Sequence, residues 1–283
     1  MTLIDGPSAG RPQNPTHFHF GIITPVGRSE QGYLEDLASS VSSLVNLNMF
    51  EVEWVLALDG NAASAESVRQ WTRQAADQAR VTILNAPSAE STGPGSTRNR
   101  ALAKIGAPWV AAIDSDDTFD PSGILALLEA VNTRPDLAWA AGRACDVGPD
   151  GAWIGAGPED VLEEGITVRG SFFAYRAVAG RPPFHPSATV VRTDVIRRIG
   201  GWPEGWFRTE DSALWSVIDA WHHGVWVQVD VLKYRKHSQS LTQAPSYAGS
   251  APELMGEIAE FIRYGNVNPG KRDERQIGHR NPD

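Results

Sequence analysis

Apolar residues along the first half of the chain follow two alternating rhythms. Short runs at Phe18 to Thr24 (FHFGIIT), Val52 to Leu58 (VEWVLAL), Val81 to Leu84 and Trp109 to Ile113 (WVAAI) have the length and content of buried strands. Between them, within Gly32 to Leu47, Leu34, Leu37, Val41 and Leu44 recur at the spacing of one helix face. Ser64 to Ala79 and Thr97 to Ile105 read as further helices. Strand and helix alternating at this interval predict an α/β fold, a mostly parallel central sheet with helices on both faces. Ligands of such sheets sit at the carboxyl ends of the strands. Three of those ends carry polar groups: Thr24-Pro25, Asp59-Gly60 and Asp114-Ser115-Asp116-Asp117.

The second half is less regular. Ile166 to Arg169, Ala188 to Arg192 and Val225 to Tyr234 predict strands. Asp194 to Ile199, Asp211 to His222 and Pro252 to Tyr264 predict helices, and another begins near Pro121. Residues 1–16 and 265–283 are polar and read as disordered tails. With 283 residues, 41% hydrophobic and 21% charged, the chain has the composition of a soluble protein with a substantial core.

A net charge of −9 repels nucleic acid and anionic membrane. An anionic substrate then needs a local device, a metal ion or a helix N-terminus. The single cysteine, Cys145, excludes an intramolecular disulfide and fits a reducing compartment. The N-terminus lacks the apolar core of a signal peptide, and no run of about eighteen apolar residues would span a bilayer. A cytoplasmic protein without an integral membrane segment is expected.

Asp114-Ser115-Asp116-Asp117 directly follows an apolar strand. Three carboxylates in four residues repel one another, and a bound cation relieves that repulsion. Hard oxygen ligands suit Mg²⁺ or Mn²⁺. The competing explanation is a solvated turn, with Asp116 or Asp117 capping the helix near Pro121. Upstream, Gly93-Pro94-Gly95-Ser96-Thr97-Arg98-Asn99-Arg100 is a glycine-containing loop running into a helix. Its free N–H groups suit a diphosphate, with Arg98 or Arg100 adding charge; a plain turn capped by Ser96 competes. Glu210-Asp211 opens a helix, where carboxylates also suit the dipole. Trp215 and Trp221 have core spacing, and His222-His223 mark a helix end. Trp202, Trp206 and Phe207 either line a pocket or pack inside, and His185 lies in a loop of open role.

The run GPGSTRNRALAKIGAPWVAAIDSDD resembles the central signature of the inverting family-2 glycosyltransferases of GT-A fold. HPSATVVRTDVIRRIGGWPEGWFRTEDSALW and the ending Tyr234-Arg235-Lys236-His237-Ser238-Gln239-Ser240-Leu241 extend the resemblance, which spans Phe18 to Leu241 with motifs in order. It implies a Rossmann-like GT-A domain, with residues 17–120 as the nucleotide-sugar half and 121–264 as the acceptor half. It implies Thr24, Pro25 and Asp59 at the nucleobase, and Gly95, Arg98, Asn99, Asp114, Ser115 and Asp116 around the rest of the donor. Asp116, Asp117 and His237 become metal ligands for Mn²⁺ or Mg²⁺. Asp211 becomes the catalytic base, with Glu210 its neighbour.

Two departures lie at the base-recognition end: Leu-Asp-Gly replaces a paired acidic ending, and Val26-Gly27-Arg28 replaces an Asn-containing turn. The expected activity is metal-dependent, inverting transfer of a sugar from a nucleotide diphosphate, a UDP-sugar above all, to an acceptor hydroxyl. The acceptor expected is a soluble small molecule or saccharide, and a homodimer is compatible with the chain. A nucleotidyltransferase of related fold would want a Gly-rich, lysine-bearing loop after the first strand, and Thr24 to Arg28 lacks it. A non-catalytic nucleotide-sugar-binding protein would have no use for Asp117, Asp211 and His237 together.

Overall fold

The computed structural model describes residues 17–27, 31–61, 63–156, 167–168, 183–206, 209–238 and 240. The expected tails, the expected helix at Pro252 to Tyr264 and Phe207 lie outside these residues.

The four apolar runs of the first half form adjacent parallel strands. These are β1 (Phe18–Val26), β2 (Phe50–Leu58), β3 (Arg80–Leu84) and β4 (Trp109–Ala112), in the order β3-β2-β1-β4. Helix α1 (Gln31–Val45) buries Leu34, Leu37, Ala38, Val41 and Leu44, the stripe its spacing predicts. The helix expected at Ser64 to Ala79 is interrupted at Thr72, giving α2 (Ala65–Trp71) and α3 (Arg73–Ala76). The Thr72 hydroxyl turns back to the Val68 carbonyl at 2.9 Å, local competition that disfavours helix continuation. Helix α4 (Pro94–Leu102) then leads into β4.

Beyond β4 the sheet becomes mixed. β9 (Thr189–Arg192) runs antiparallel between β4 and β6 (Leu137–Val147), and β10 (His223–Arg235) lies parallel to β6. β5 (Thr118–Phe119) closes the edge against β10, while β7 (Trp153–Ala156) pairs β6 and β8 (Thr167–Val168) pairs β10. β5, β6 and β7 have no counterpart among the sequence expectations. The sheet runs unbroken across residue 120, because β5 joins β10 and β9 joins β4.

Alternate side chains of each strand face opposite layers. Phe20, Ile22, Trp54 and Leu56 pack with α1, α2, α3 and α5 (Pro121–Asn132). Ile23, Val55 and Trp139 pack with α4, α6 (Thr193–Arg198) and α7 (Glu210–Trp221). Trp215 lies in that second core as expected, but Trp221 is 70% exposed. Its spacing suits the buried face, yet it is the last residue of α7, where the chain turns away into β10.

Candidate active site

The acidic turn follows β4 immediately. Asp120, not Asp116 or Asp117, caps α5, accepting the backbone N–H groups of Ser122 and Gly123 at 2.8 and 3.3 Å. The capping explanation for the acidic cluster therefore falls. Asp114 remains half-buried and pairs with Arg98 at 2.7 Å, while Ser115 is buried beside it. Asp116 Oδ2 lies 2.8 Å from His237 Nε2.

Asp117 differs from the expectation. Its side chain is wholly buried and its Oδ1 accepts the backbone N–H of Arg235 at 2.8 Å. Its Oδ2 is buried with no hydrogen-bond partner. The expected metal trio of Asp116, Asp117 and His237 does not assemble, and among the described residues no three His, Cys, Asp or Glu side chains form such a group. The physical reason is that Asp117 ties the turn to β10 and so faces inward.

Burial and the neighbouring Asp114 raise the Asp116 carboxyl above its ordinary range, against the opposing pull of His237. Burial, then Asp116 and Asp114, raise Asp117 well above it.

Arg98 joins this turn to the start of α7. It is 3% exposed, and its guanidinium meets Asp114 at 2.7 Å, Glu210 at 2.6 Å and Asp211 at 3.3 Å. Burial works against the Arg98 charge, but the three carboxylates outweigh it and keep it protonated. Asp211 keeps a side-chain exposure of 25% and accepts the Trp202 indole N–H on Oδ1 at 2.7 Å. Its carboxyl is pushed up to about 7 by burial, with Glu210 and Asp114 adding to the rise and Arg98 opposing it. A carboxylate held near neutrality in a partly open position suits proton transfer.

Several residues expected at a diphosphate have internal partners instead. Arg98 is filled by carboxylates, and Arg100 donates to the Leu58 and Asn85 carbonyls. The Asn99 amide pairs with the backbone of Trp202. Gly95 is buried where a Cβ would stand 2.6 Å from the Pro203 carbonyl, so it admits the loop that carries Trp202. Gly93, not Ser96, caps α4, and it makes no side-chain bond.

The nucleobase residues are also partly redirected. Thr24 is fully buried and its hydroxyl accepts the Trp54 indole N–H at 3.0 Å, a core role; Pro25 beside it is half-buried. The Asp59 carboxylate accepts from Ser91 at 2.5 Å, Thr92 at 2.8 Å and Gly93 at 3.3 Å. Those bonds outweigh its partial burial and hold its carboxyl below the ordinary value. Asp59 thereby braces the loop that enters α4.

Arg235 had no role assigned from sequence and holds the site together. Its Nε donates to the Asp116 carbonyl, Nη1 to the Pro149 carbonyl and Nη2 to Asp36, at 2.8, 2.7 and 2.8 Å. The guanidinium also lies 4.4 Å from the centre of the Tyr33 ring. Two residues on, His237 packs against the same ring at 5.2 Å. His185 packs at a tilt against the Tyr234 ring, centroids 4.5 Å apart, and Lys236 Nζ lies 4.0 Å from the centre of the same ring. Burial pushes the His185 imidazole down to about 4, so it is neutral, and its Nδ1 accepts the Ser187 N–H.

The fold agrees with the comparisons. Among solved structures, S. aureus TarS 1–349 in complex with UDP-GlcNAc is similar at a TM-score of 0.64 and 19% identity, covering 88% of this chain and 66% of that one. The complex of S. aureus TarS 1–349 with UDP gives 0.59 and 17%, covering 88% of this chain and 65% of that one. The longer S. aureus TarS structure gives 0.58 and 18%, covering 89% of this chain and 41% of that one. The chain therefore spans just under two thirds of the shorter TarS and less than half of the longer. The fold is that of the GT-A glycosyltransferases. No curated protein matches significantly. The profile described as Glycosyl transferase family 2 matches residues 22–200, more than half of the sequence. The chain is therefore a member of glycosyl transferase family 2.

Proposed function

We propose that the protein transfers a sugar from a UDP-sugar to an acceptor hydroxyl with inversion at the anomeric carbon, using Asp211 as general base. The observation that carries this reading is the convergence of the acidic turn and the Glu210-Asp211 pair on Arg98. That convergence sets a near-neutral carboxylate beside the turn that family members use toward the donor. A UDP-sugar donor is supported by the TarS structures, whose complexes contain UDP-GlcNAc and UDP.

Asp116 and His237 fit a divalent cation. A carboxylate and an imidazole suit Mn²⁺, and Mg²⁺ also takes few protein ligands when phosphate oxygens complete the shell. In the structure the two groups share a hydrogen bond at 2.8 Å, which a bound cation would have to replace. When bound, the cation would neutralise charge gathering on the departing diphosphate. Asp117 supports the turn from beneath and is not among these ligands. Asp211 takes the proton from the acceptor hydroxyl as that oxygen attacks the anomeric carbon. Glu210, buried against Arg98, balances the guanidinium and keeps Asp211 from being fully neutralised by it. One base suffices for a single displacement, which accords with inversion.

The test is UDP release from a panel of UDP-sugars, UDP-GlcNAc first, with Mn²⁺, comparing the native protein with Asp211→Asn. Product stereochemistry read by NMR distinguishes inversion from retention. Loss of turnover with donor binding intact supports the base; normal turnover in Asp211→Asn overturns it.

A further inference from the structure

Trp202 stands in the core, yet its one polar atom faces the site. Its ring is 3% exposed, and its indole N–H donates to Asp211 Oδ1 at 2.7 Å. A buried indole N–H is stabilised by an acceptor, and here the acceptor is the carboxylate proposed as base. The Trp202 backbone is clamped as well. Its N–H donates to Asn99 Oδ1 at 2.9 Å and its carbonyl accepts from Asn99 Nδ2 at 2.8 Å. The side-chain amide on α4 thus pairs with this peptide as a neighbouring strand would.

The clamp demands a bare backbone at Gly201. That residue has φ +81°, and a Cβ on it would lie 2.2 Å from Asn99 Oδ1. Arg98, adjacent to Asn99, lies 3.3 Å from the other oxygen of Asp211. Two successive residues of α4 therefore fix both oxygens of one carboxylate, Arg98 directly and Asn99 through Trp202.

The geometry points to Trp202 as a positioning residue for Asp211, held in register by Asn99, that aims the carboxylate at the acceptor. The inference rests on the reading of Asp211 as base. A carboxylate has about four lone-pair directions; Trp202 and Arg98 occupy two, and the rest belong to a side chain still 25% exposed. The terminal torsion of an aspartate is soft. Without the indole donor, the longer Arg98 contact is the side-chain restraint that remains among the described residues. Among the described residues, the charged groups facing Asp211 are Arg98 on α4, Asp114 after β4 and Glu210 on its own helix.

Trp202→Phe keeps an aromatic ring and removes the N–H. Carboxyl ¹³C NMR follows the Asp211 titration, with Asp211→Asn assigning the resonance. The lost donor had favoured the ionised form, so the midpoint should rise by about one pH unit. UDP release should fall at least tenfold in kcat with donor KM unchanged, a split expected for a misaimed base. Trp215→Phe, a buried tryptophan of the same core with no bond to Asp211 among those described, should leave the midpoint alone. In the native protein the Trp202 indole ¹⁵N–H resonance should titrate with Asp211 and stop doing so in Asp211→Asn, which tests the coupling even if Trp202→Phe does not fold. A flat indole resonance, an unmoved midpoint, or an equal shift in Trp215→Phe overturns the role. Normal turnover of Asp211→Asn would instead remove the base itself, and it is measured separately from both titrations.

Discussion

Around Arg98 three carboxylates share one positive charge, and burial together with that crowding governs what Asp211 can do. With its carboxyl pushed up to about 7, Asp211 is ionised above that pH and protonated below it. The rate of sugar transfer should therefore fall as pH drops through about 7, and Asp211→Asn should lower turnover on the order of a hundredfold or more at pH 8. A rate flat from pH 5 to 8 would remove the assignment. The same raised value has a cost in stability. Between the ordinary 3.8 and about 7, the folded protein keeps a proton that the unfolded chain has released. Stability thus falls as pH rises across this window and levels off above it. Asp211→Asn lacks that penalty, so its melting temperature should gain on the native protein as pH rises from 4 to 8. Thermal melts at both pH values read the difference directly, and a gain independent of pH would contradict it.

At the scale of elements, the end of β10 determines the shape of the acidic turn. Arg235 reaches the Asp116 carbonyl, the Pro149 carbonyl and Asp36, while its own N–H meets Asp117. Lysine lacks the planar fork that makes these bonds at once. Arg235→Lys should lower the melting temperature and weaken Mn²⁺-dependent UDP binding on the order of tenfold by calorimetry. Unchanged binding would mean that the turn keeps its shape unaided.

None of this bracing was legible beforehand, because Tyr33 and Asp36 on α1 and Pro149 after β6 stand far from Arg235 in sequence, with no spacing that relates them to it. The acidic turn and the Glu-Asp pair were legible through their motifs, and the four parallel strands through their apolar runs. β6 escaped for a physical reason: Leu137–Val147 is buried on both faces over much of its length, so LAWAAGRACDV shows no alternation of apolar and polar positions. Thr24 shows a contact that escaped for another reason. The resemblance puts it at the nucleobase, and its hydroxyl accepts the indole N–H of Trp54 on the adjacent strand, a core partner no motif announces.

For the whole molecule, a net charge of −9 opposes the approach of a diphosphate. Donor and cation should bind as a pair. UDP with Mn²⁺, each far above its dissociation constant, should raise the melting temperature by about 5–10 °C, whereas UDP with chelator should raise it little. A shift unaffected by chelator would contradict the role given to Asp116 and His237. His237→Ala should reduce the Mn²⁺-dependent part of the shift, since it removes one of the two ligands.

The antiparallel β9 lies between β4 and β6, although its residues follow both in sequence. During synthesis β4 is made well before the strand that covers its outer side. At about 5–20 residues per second, that interval lasts on the order of ten seconds. For this time the nascent chain carries a bare strand edge of the kind that recruits other chains. Newly made protein should therefore depend on chaperone binding in the window before β9 emerges, and a chain stopped after residue 120 should aggregate rather than remain a free half.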